Sequence, residues 1–550
     1  MQIPSGRTDL LTLAKELREI LSASRSQRIA LCRAQNAWVQ TGRAGGSRAT
    51  VNRLYGHIDK LSSHLFSPAE LRFAVEFESH YDSTVTAQGQ VAARLLTGEW
   101  ERKDLDILFG AGVGVSLEYG AAIFKQMWSE KDRLEAQVLM PWNFGVYRED
   151  INSLDDQEAL GEFGMLTIPQ LWKHVRHLPD AKRVYEQARA HASRDNGEQA
   201  NTSFFHNVLS TSILNTDLAS TRQQPGGIVQ LSSDVSQSIV GPQTAVELVP
   251  FVEMYVKDDD SGDYVTMMMI EPDILISPRI KKENMFAPDT QPYSLIQANY
   301  VPGYVWGRSE VVDLQEPQGL LAQWWDDVRR LTGVQVDRIL AFSGGNAITD
   351  ESYAAFRASG FISLEQGASV NDLTPPFPPV LFESLAAVNK AMDDVSGLGN
   401  ILSGQGESGV RAGVHADTLM KAASPRLRDR SLLIERQCAA AADKTLELLQ
   451  AKDGRAYKTE TGGEFLLHDL PDDRRVSVDS HSSSPVFADD HQQLVAFGVK
   501  AGFIDGEGAL DLLPYPRKDV LKQRYKAMQE AKAKMVQEHP ELLTHGKGHR

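Results

Sequence analysis

The stretch GRSEVVDLQEPQGLLAQWWDDVRRLTGVQVDRIL, residues 307–340, decides the fold. Leu321, Trp324, Trp325, Val328, Leu331, Val336 and Ile339 fall mostly three or four residues apart. That spacing lines one face of a helix and is not the alternation of a strand. Pro317 suits a first helical turn, where its missing N–H costs nothing. The pattern breaks over AFSGGNAITDESYAAFRASGFISLEQGASVNDLTPPFPPV, residues 341–380, with paired glycines, a short helical piece and short apolar strands. This insert ends in Pro375, Pro376, Pro378 and Pro379, which cannot continue a helix. A second helix is predicted over 380–396, a glycine-rich loop over 397–412, and a long helix from there to Gln450. Two helices thus bracket a compact insert, and a loop separates the second from a third, longer one.

This order resembles the stem helix, clip, second stem helix, tunnel loop and long wing helix of the tailed-bacteriophage portal (head-to-tail connector) proteins. Two local patterns carry the resemblance with it: YVPGYVWGRS at 300–309 and SGLGNILSGQGESGVRAGV at 396–414. It implies an α+β fold, mainly helical, with a β-rich wing part, two stem helices bracketing a small α/β clip, and a long wing helix. The corresponding regions are a wing over 1–307, β-rich over 226–307; a first stem helix over 308–340; a clip over 341–379; and a second stem helix over 380–396. A tunnel loop over 397–412, a long wing helix with a following hairpin over 413–475, and a C-terminal helical or crown region over 476–550 complete the chain.

The resemblance also implies a role: a non-enzymatic subunit of a dodecameric ring at one capsid vertex, the channel for viral DNA packaging and ejection. The clip would dock the terminase large subunit and later the head–tail adaptor and tail proteins. The wing would meet major capsid and scaffolding proteins, and double-stranded DNA would pass through the channel. The protein would assemble in the host cytoplasm and end in the virion. In the tunnel loop, Asn400, Ser403, Gln405 and Arg411 would face the channel, and Gly404, Gly406 and Gly409 would supply flexibility, because glycine reaches both signs of φ. Trp324 and Trp325 project about 100° apart around the helix. At least one of them is expected to pack against a neighbouring subunit or the adjacent stem helix.

Composition agrees with a folded chain of 550 residues, 42% hydrophobic and 24% charged, long enough for two or three structural regions. The formal net charge of −16 argues against general adhesion to nucleic acid, which needs Lys and Arg to displace counterions. It suits a channel that lets DNA slide, since an acidic lining repels phosphate. The two cysteines, Cys32 and Cys438, read as reduced, packed thiols. The N-terminus lacks a signal-peptide apolar core, and no run of about 18 apolar residues predicts a membrane span.

Outside the central stretch, helices are predicted over 8–36, 51–66 and 86–100, and a glycine-interrupted helical pair over 103–128. Residues 133–150 read as extended and 168–193 as helical. Strand-like runs at 246–256 and 264–276 flank the turn KDDDSGD, and 453–470 holds one hairpin. Two short helices are expected over 489–516 and a basic helix over 517–539.

Catalytic and ligand motifs lack context. GAGVG at 110–114 follows a helical segment, not the strand a dinucleotide site needs, and reads as close helix packing. Gly404, Gly406 and Gly409 fit G-x-G-x-x-G but stand between helices. His174, His177 and His191 have no carboxylate or cysteine at metal-site spacing. The acidic run from Asp258 lacks the glycine and glutamate of a calcium loop. Asp326/Asp327 and Asp393/Asp394 are adjacent on helices and do not face one another. No phosphate loop, zinc-protease helix or nucleophile elbow occurs, so no enzyme activity, cofactor or metal is expected. Two other readings stay open: a cytoplasmic α+β enzyme with a glycine-loop nucleotide site, and another ring-forming structural adaptor.

Overall fold

In a computed structural model, the described residues are 1–44, 51–68, 71–77, 83–129, 133–190, 193–194, 247–270, 273–278, 290–336, 340–343, 354, 369–396, 425–459, 462–471, 473–478, 488–503 and scattered positions between 505 and 529. Four helices occupy the N-terminal part: α1 (Arg7–Thr41), α2 (Arg53–Leu65), α3 (Ser83–Arg102) and α4 (Leu105–Tyr119), with β1 (Phe73–Phe77) between α2 and α3. Leu10, Ala14, Leu17 and Leu21 recur at helical spacing and are buried along one side of α1. The helix stops at Gly42, whose φ of 73° permits the left-handed cap and whose N–H bonds to Trp38 O. Asn52 caps α2 by accepting the Tyr55 N–H.

The expected helical pair over 103–128 is corrected. Gly110, Gly112 and Gly114 lie inside the single helix α4, which ends at Gly120 with φ 94°. Residues Ala122–Ser129 then form β2. Phe124 points into the main core and Ile123 into a second one, and Lys125 and Gln126 are buried too. A strand buried on both faces shows no polar alternation, so its apolar run reads like a helix.

β2 is the centre of a three-stranded antiparallel sheet with β3 (Arg133–Leu139) and, later, β10 (Tyr293–Ile296). A larger antiparallel sheet contains β4 (Phe144–Val146), β5 (Ala159–Thr167), β6 (Ser193–Arg194), β7 (Glu247–Lys257), β8 (Tyr264–Ile270) and β9 (Ile274–Ser277). Its order is β4-β5-β7-β8-β9, with β6 beside β7. The β7–β8 hairpin closes where Asp258 N–H bonds to Asp263 O, as KDDDSGD predicts. The expected single run over 264–276 is instead two strands, with Asp273 at φ 55° before β9. One face of this sheet buries Val252, Met254, Val256, Met267 and Met269 under the first half of α1. The other buries Val249, Met268 and Ile270 under α5 (Ile168–Val175) and α6 (Ala181–Ala190). The predicted helix over 168–193 is thus split, and Pro179 stands in the break.

The helix read from residues 307–340 is α7 (Val311–Val336). Its start is a correction: Pro317 lies inside it, not in the first turn. Ser309 Oγ accepts the Val311 N–H at 3.0 Å, and Val311 and Leu314 anchor the extra length in the main core. Their burial outweighs the one hydrogen bond that an interior proline removes. β11 (Leu340–Ser343) and β12 (Ser369–Asp372) pair antiparallel, then 373–378 runs without regular structure into α8 (Val380–Ser396). The rest of the predicted clip, 344–353 and 355–368, lies outside the described residues, as do the predicted loop over 397–412 and the start of the long helix.

The described long helix is α9 (Pro425–Lys452). Ile434, Cys438, Ala442, Leu446 and Leu449 run along it into the same main core as Leu54, Trp100 and Phe109. β13 (Ala456–Lys458) and β14 (Glu464–Leu466) form the predicted hairpin. β15 (Arg474–Val478) returns to pair with β1, Phe73 opposite Val478. α10 (Ala488–Ala501) follows; the second short helix and the basic helix fall largely outside the described residues. The chain is therefore a mixed helix-and-sheet fold, compatible with the α+β class. Among the described residues no helix is long and apolar enough to cross a membrane.

Candidate functional site: an antiparallel helix pair

α7 and α8 are antiparallel. Gln335 near the end of α7 donates to Pro375 O just before α8, at 2.5 Å, and the β11–β12 ladder ties the same end. At the other end both helices meet the junction between α1 and α2. Gln318 Nε2 donates to Val51 O at 2.8 Å, and Gln318 Oε1 accepts the N–H groups of Arg53 at 3.0 Å and Leu54 at 3.3 Å. Arg43 pairs with Asp326 on α7. Arg53 donates to Asn389 at 2.6 Å and Asp393 at 3.1 Å on α8.

Between these ends the pair has a small core of its own. Leu321 of α7 and Leu385, Val388 and Met392 of α8 are buried together, a helical spacing of three and four on α8. Trp324, Trp325 and Val328 pack half-buried against this cluster, with Val51 beside them. Both tryptophans thus touch the interior of their own helix pair.

The outer faces are different. Val312, Leu320 and Val336 of α7 and Val380, Phe382 and Val395 of α8 are all exposed, Phe382 at 56%. The Phe382 ring stacks on Phe377 from the proline segment, centroids 5.4 Å apart. The tunnel-loop residues Asn400, Ser403, Gln405, Arg411, Gly404, Gly406 and Gly409 lie outside the described residues.

Other candidates take structural places. A Cβ added to Gly112 would stand 2.6 Å from Ile296 Cδ1, so this glycine lets α4 approach β10. His174 lies on α5, where burial lowers its pKa, and His177 beyond it is exposed; His191 is outside the described residues. Among the described residues no group of three or more His, Cys, Asp or Glu is placed to hold a metal ion. Both cysteines are buried and free. Burial pushes the Cys32 thiol up to about 12, against the opposing pull of Arg28, and raises Cys438 as well, so neither is a reactive thiolate.

One cluster escaped the sequence reading. Lys125 of β2 reaches Glu162 of β5 at 2.5 Å and Glu253 of β7 at 2.8 Å, joining the two sheets. Tyr293 donates to Glu162 at 3.3 Å, Gln137 donates to its other oxygen at 3.3 Å, and Tyr255 donates to Glu253 at 2.9 Å. Burial opposes the Lys125 charge, but the two carboxylates outweigh it and raise its pKa. Burial raises Glu162, with Lys125 pulling the other way. The three charges come from strands far apart in sequence: the β5–β7 pairing sets Glu162 opposite Glu253, and Lys125 reaches them from the other sheet.

No family model matches the chain, and no curated protein matches it. Among solved structures it is similar to the neck of an empty GTA particle computed with C6 symmetry. The identity is 12% and the TM-score 0.38, over 88% of this chain and 94% of that one. It is also similar to the neck of a native GTA particle computed with C12 symmetry, at 13% identity and a TM-score of 0.36 over the same shares. A likeness this distant does not assign a function.

Proposed function

We propose that this chain is a portal-type subunit that closes into a ring around a DNA channel at one vertex of a virion. The observation that carries the reading is the α7–α8 pair, tethered at one end to the α1–α2 junction and joined at the other by a two-stranded ladder. Its outer faces leave Val312, Leu320, Val380 and Phe382 uncovered in a single subunit. Head-to-tail contacts around a cyclic ring would cover such a face in every copy. Exposed apolar surface of this kind marks interaction sites.

On this reading the helix pair walls the channel and the β11–β12 insert docks the packaging motor, then tail adaptors. The segment 397–412, with Arg411, narrows the passage, and the acidic chain keeps contacts to passing DNA weak and independent of base sequence. The reading needs no catalysis, cofactor or membrane. Native mass spectrometry of the full chain tests it. A closed ring of about twelve subunits supports the proposal; a monomer or dimer at micromolar concentration overturns it.

A further inference from the structure

Arg53 is the first residue of α2, and Asp393 lies in the last turn of α8. Each is misplaced within its own helix. The aligned peptide dipoles put about half a positive charge at a helix N-terminus and half a negative charge at its C-terminus. A guanidinium in the first turn and a carboxylate in the last turn are therefore both repelled where they stand. α2 has no acidic residue in its first turn and α8 no basic residue in its last. α8 carries Asp393 and Asp394 side by side there instead.

The fold cancels the two mismatches by bringing the ends together. Arg53 Nη2 donates to Asp393 Oδ1 at 3.1 Å and Nη1 to Asn389 Oδ1 at 2.6 Å, one turn earlier on α8. The positive end of α2 thus meets the negative end of α8. His57, one turn along α2, stands 3.4 Å from the same Asp393 oxygen. The Asp393 side chain is only 19% exposed, so solvent screens the contact incompletely.

We propose that this contact is a conditional joint: the last turn of α8 is helical because α2 docks on it, and the joint opens by unwinding that turn. The proposal goes beyond the portal reading and does not depend on it. The competing account is that Met392 and Ser396, both buried, hold the turn by packing alone.

Amide hydrogen exchange on the full chain separates the two. In Arg53→Gln, exchange at 393–396 is expected to rise about tenfold or more, from the loss of the charge-assisted hydrogen bonds to Asp393 and Asn389, while 385–388 stays unchanged. Asp394→Asn removes a repelling charge without touching the partners of Arg53. It is expected to slow exchange in the last turn of the otherwise natural protein and to reverse part of the Arg53→Gln effect. Unchanged exchange at 393–396 in Arg53→Gln overturns the joint. If Arg53→Gln does not fold, Asp394→Asn alone decides: slower exchange in the last turn supports the joint, and no change overturns it.

Discussion

Gln318, fully buried in α7, accepts the backbone N–H of Arg53 at 3.0 Å, two residues 265 positions apart in the chain. The same amide accepts from Leu54 and donates to Val51 O. One side chain thus satisfies three backbone groups of a segment that has no ladder partner there.

Replacing Gln318 with leucine keeps the volume and strands those three groups. Each buried backbone group left without a partner costs about 1–3 kcal/mol. Leu54 N–H is buried and the other two groups partly so, so the expected loss is about 1–3 kcal/mol of unfolding free energy. Urea denaturation followed by circular dichroism measures it, and a variant within about 0.5 kcal/mol of the natural protein would contradict the bonding described.

The Lys125 cluster predicts a non-additive result. Lys125→Met leaves the buried Glu162 and the partly buried Glu253 without their lysine, and breaking a buried pair from one side costs about 3–5 kcal/mol. Adding Glu162→Gln and Glu253→Gln removes the stranded charges and should recover most of that loss. A triple variant as unstable as the single one would show that the charges are not what the lysine offsets. Denaturation midpoints of the natural protein, the single variant and the triple variant complete the test.

These two sites show where the sequence stops being readable. Helical stripes on α1, α7 and α8 are visible because each helix buries one side, and KDDDSGD marks its hairpin. Lys125 looks like an ordinary surface charge until β2 is seen to be buried on both faces. Pro317 drew the start of α7 too late, since Val311 and Leu314 anchor the helix in a core most of whose other members lie more than a hundred residues away. β1 and β15 pair across some four hundred residues with no local signal at either. The exposed side of α8 was legible only as leftover apolar residues.

His57 sets a pH dependence. Its side chain is buried, and among the described residues neither ring nitrogen makes a hydrogen bond. Burial, then Arg53 and Lys60, lower its pKa to about 4, while Asp393 pulls the other way. A base with a depressed folded pKa binds fewer protons than the unfolded chain between about 4 and 6.5, so stability falls as pH drops through that window. Between pH 7 and pH 5 the loss amounts to about 2 kcal/mol. His57→Leu also removes two buried ring nitrogens that make no hydrogen bond among the described residues. It should therefore gain on the natural protein as pH falls from 7 to 5, and thermal midpoints at the two pH values check this. Equal differences at both would mean that His57 does not titrate differently on folding.

The last prediction concerns the outer face of the helix pair. Phe382 is exposed and, among the described residues, stacks on Phe377 alone, so replacing it with aspartate removes little that holds one subunit together. Such surface changes usually alter stability by within about 0.5 kcal/mol. If the face packs on a neighbouring copy, the same change buries an unpaired carboxylate at every interface of the ring, at a cost of several kcal/mol per contact. Trp325→Ala makes the contrast: Trp325 is half-buried against the core of the helix pair within its own chain, so its loss should loosen the pair before assembly. Sedimentation velocity and circular dichroism together read both variants. Phe382→Asp is expected to give folded, dissociated subunits, and Trp325→Ala a lowered melting temperature with or without dissociation. A Phe382→Asp protein that sediments like the natural one would place the subunit contact elsewhere and remove the main support for the ring.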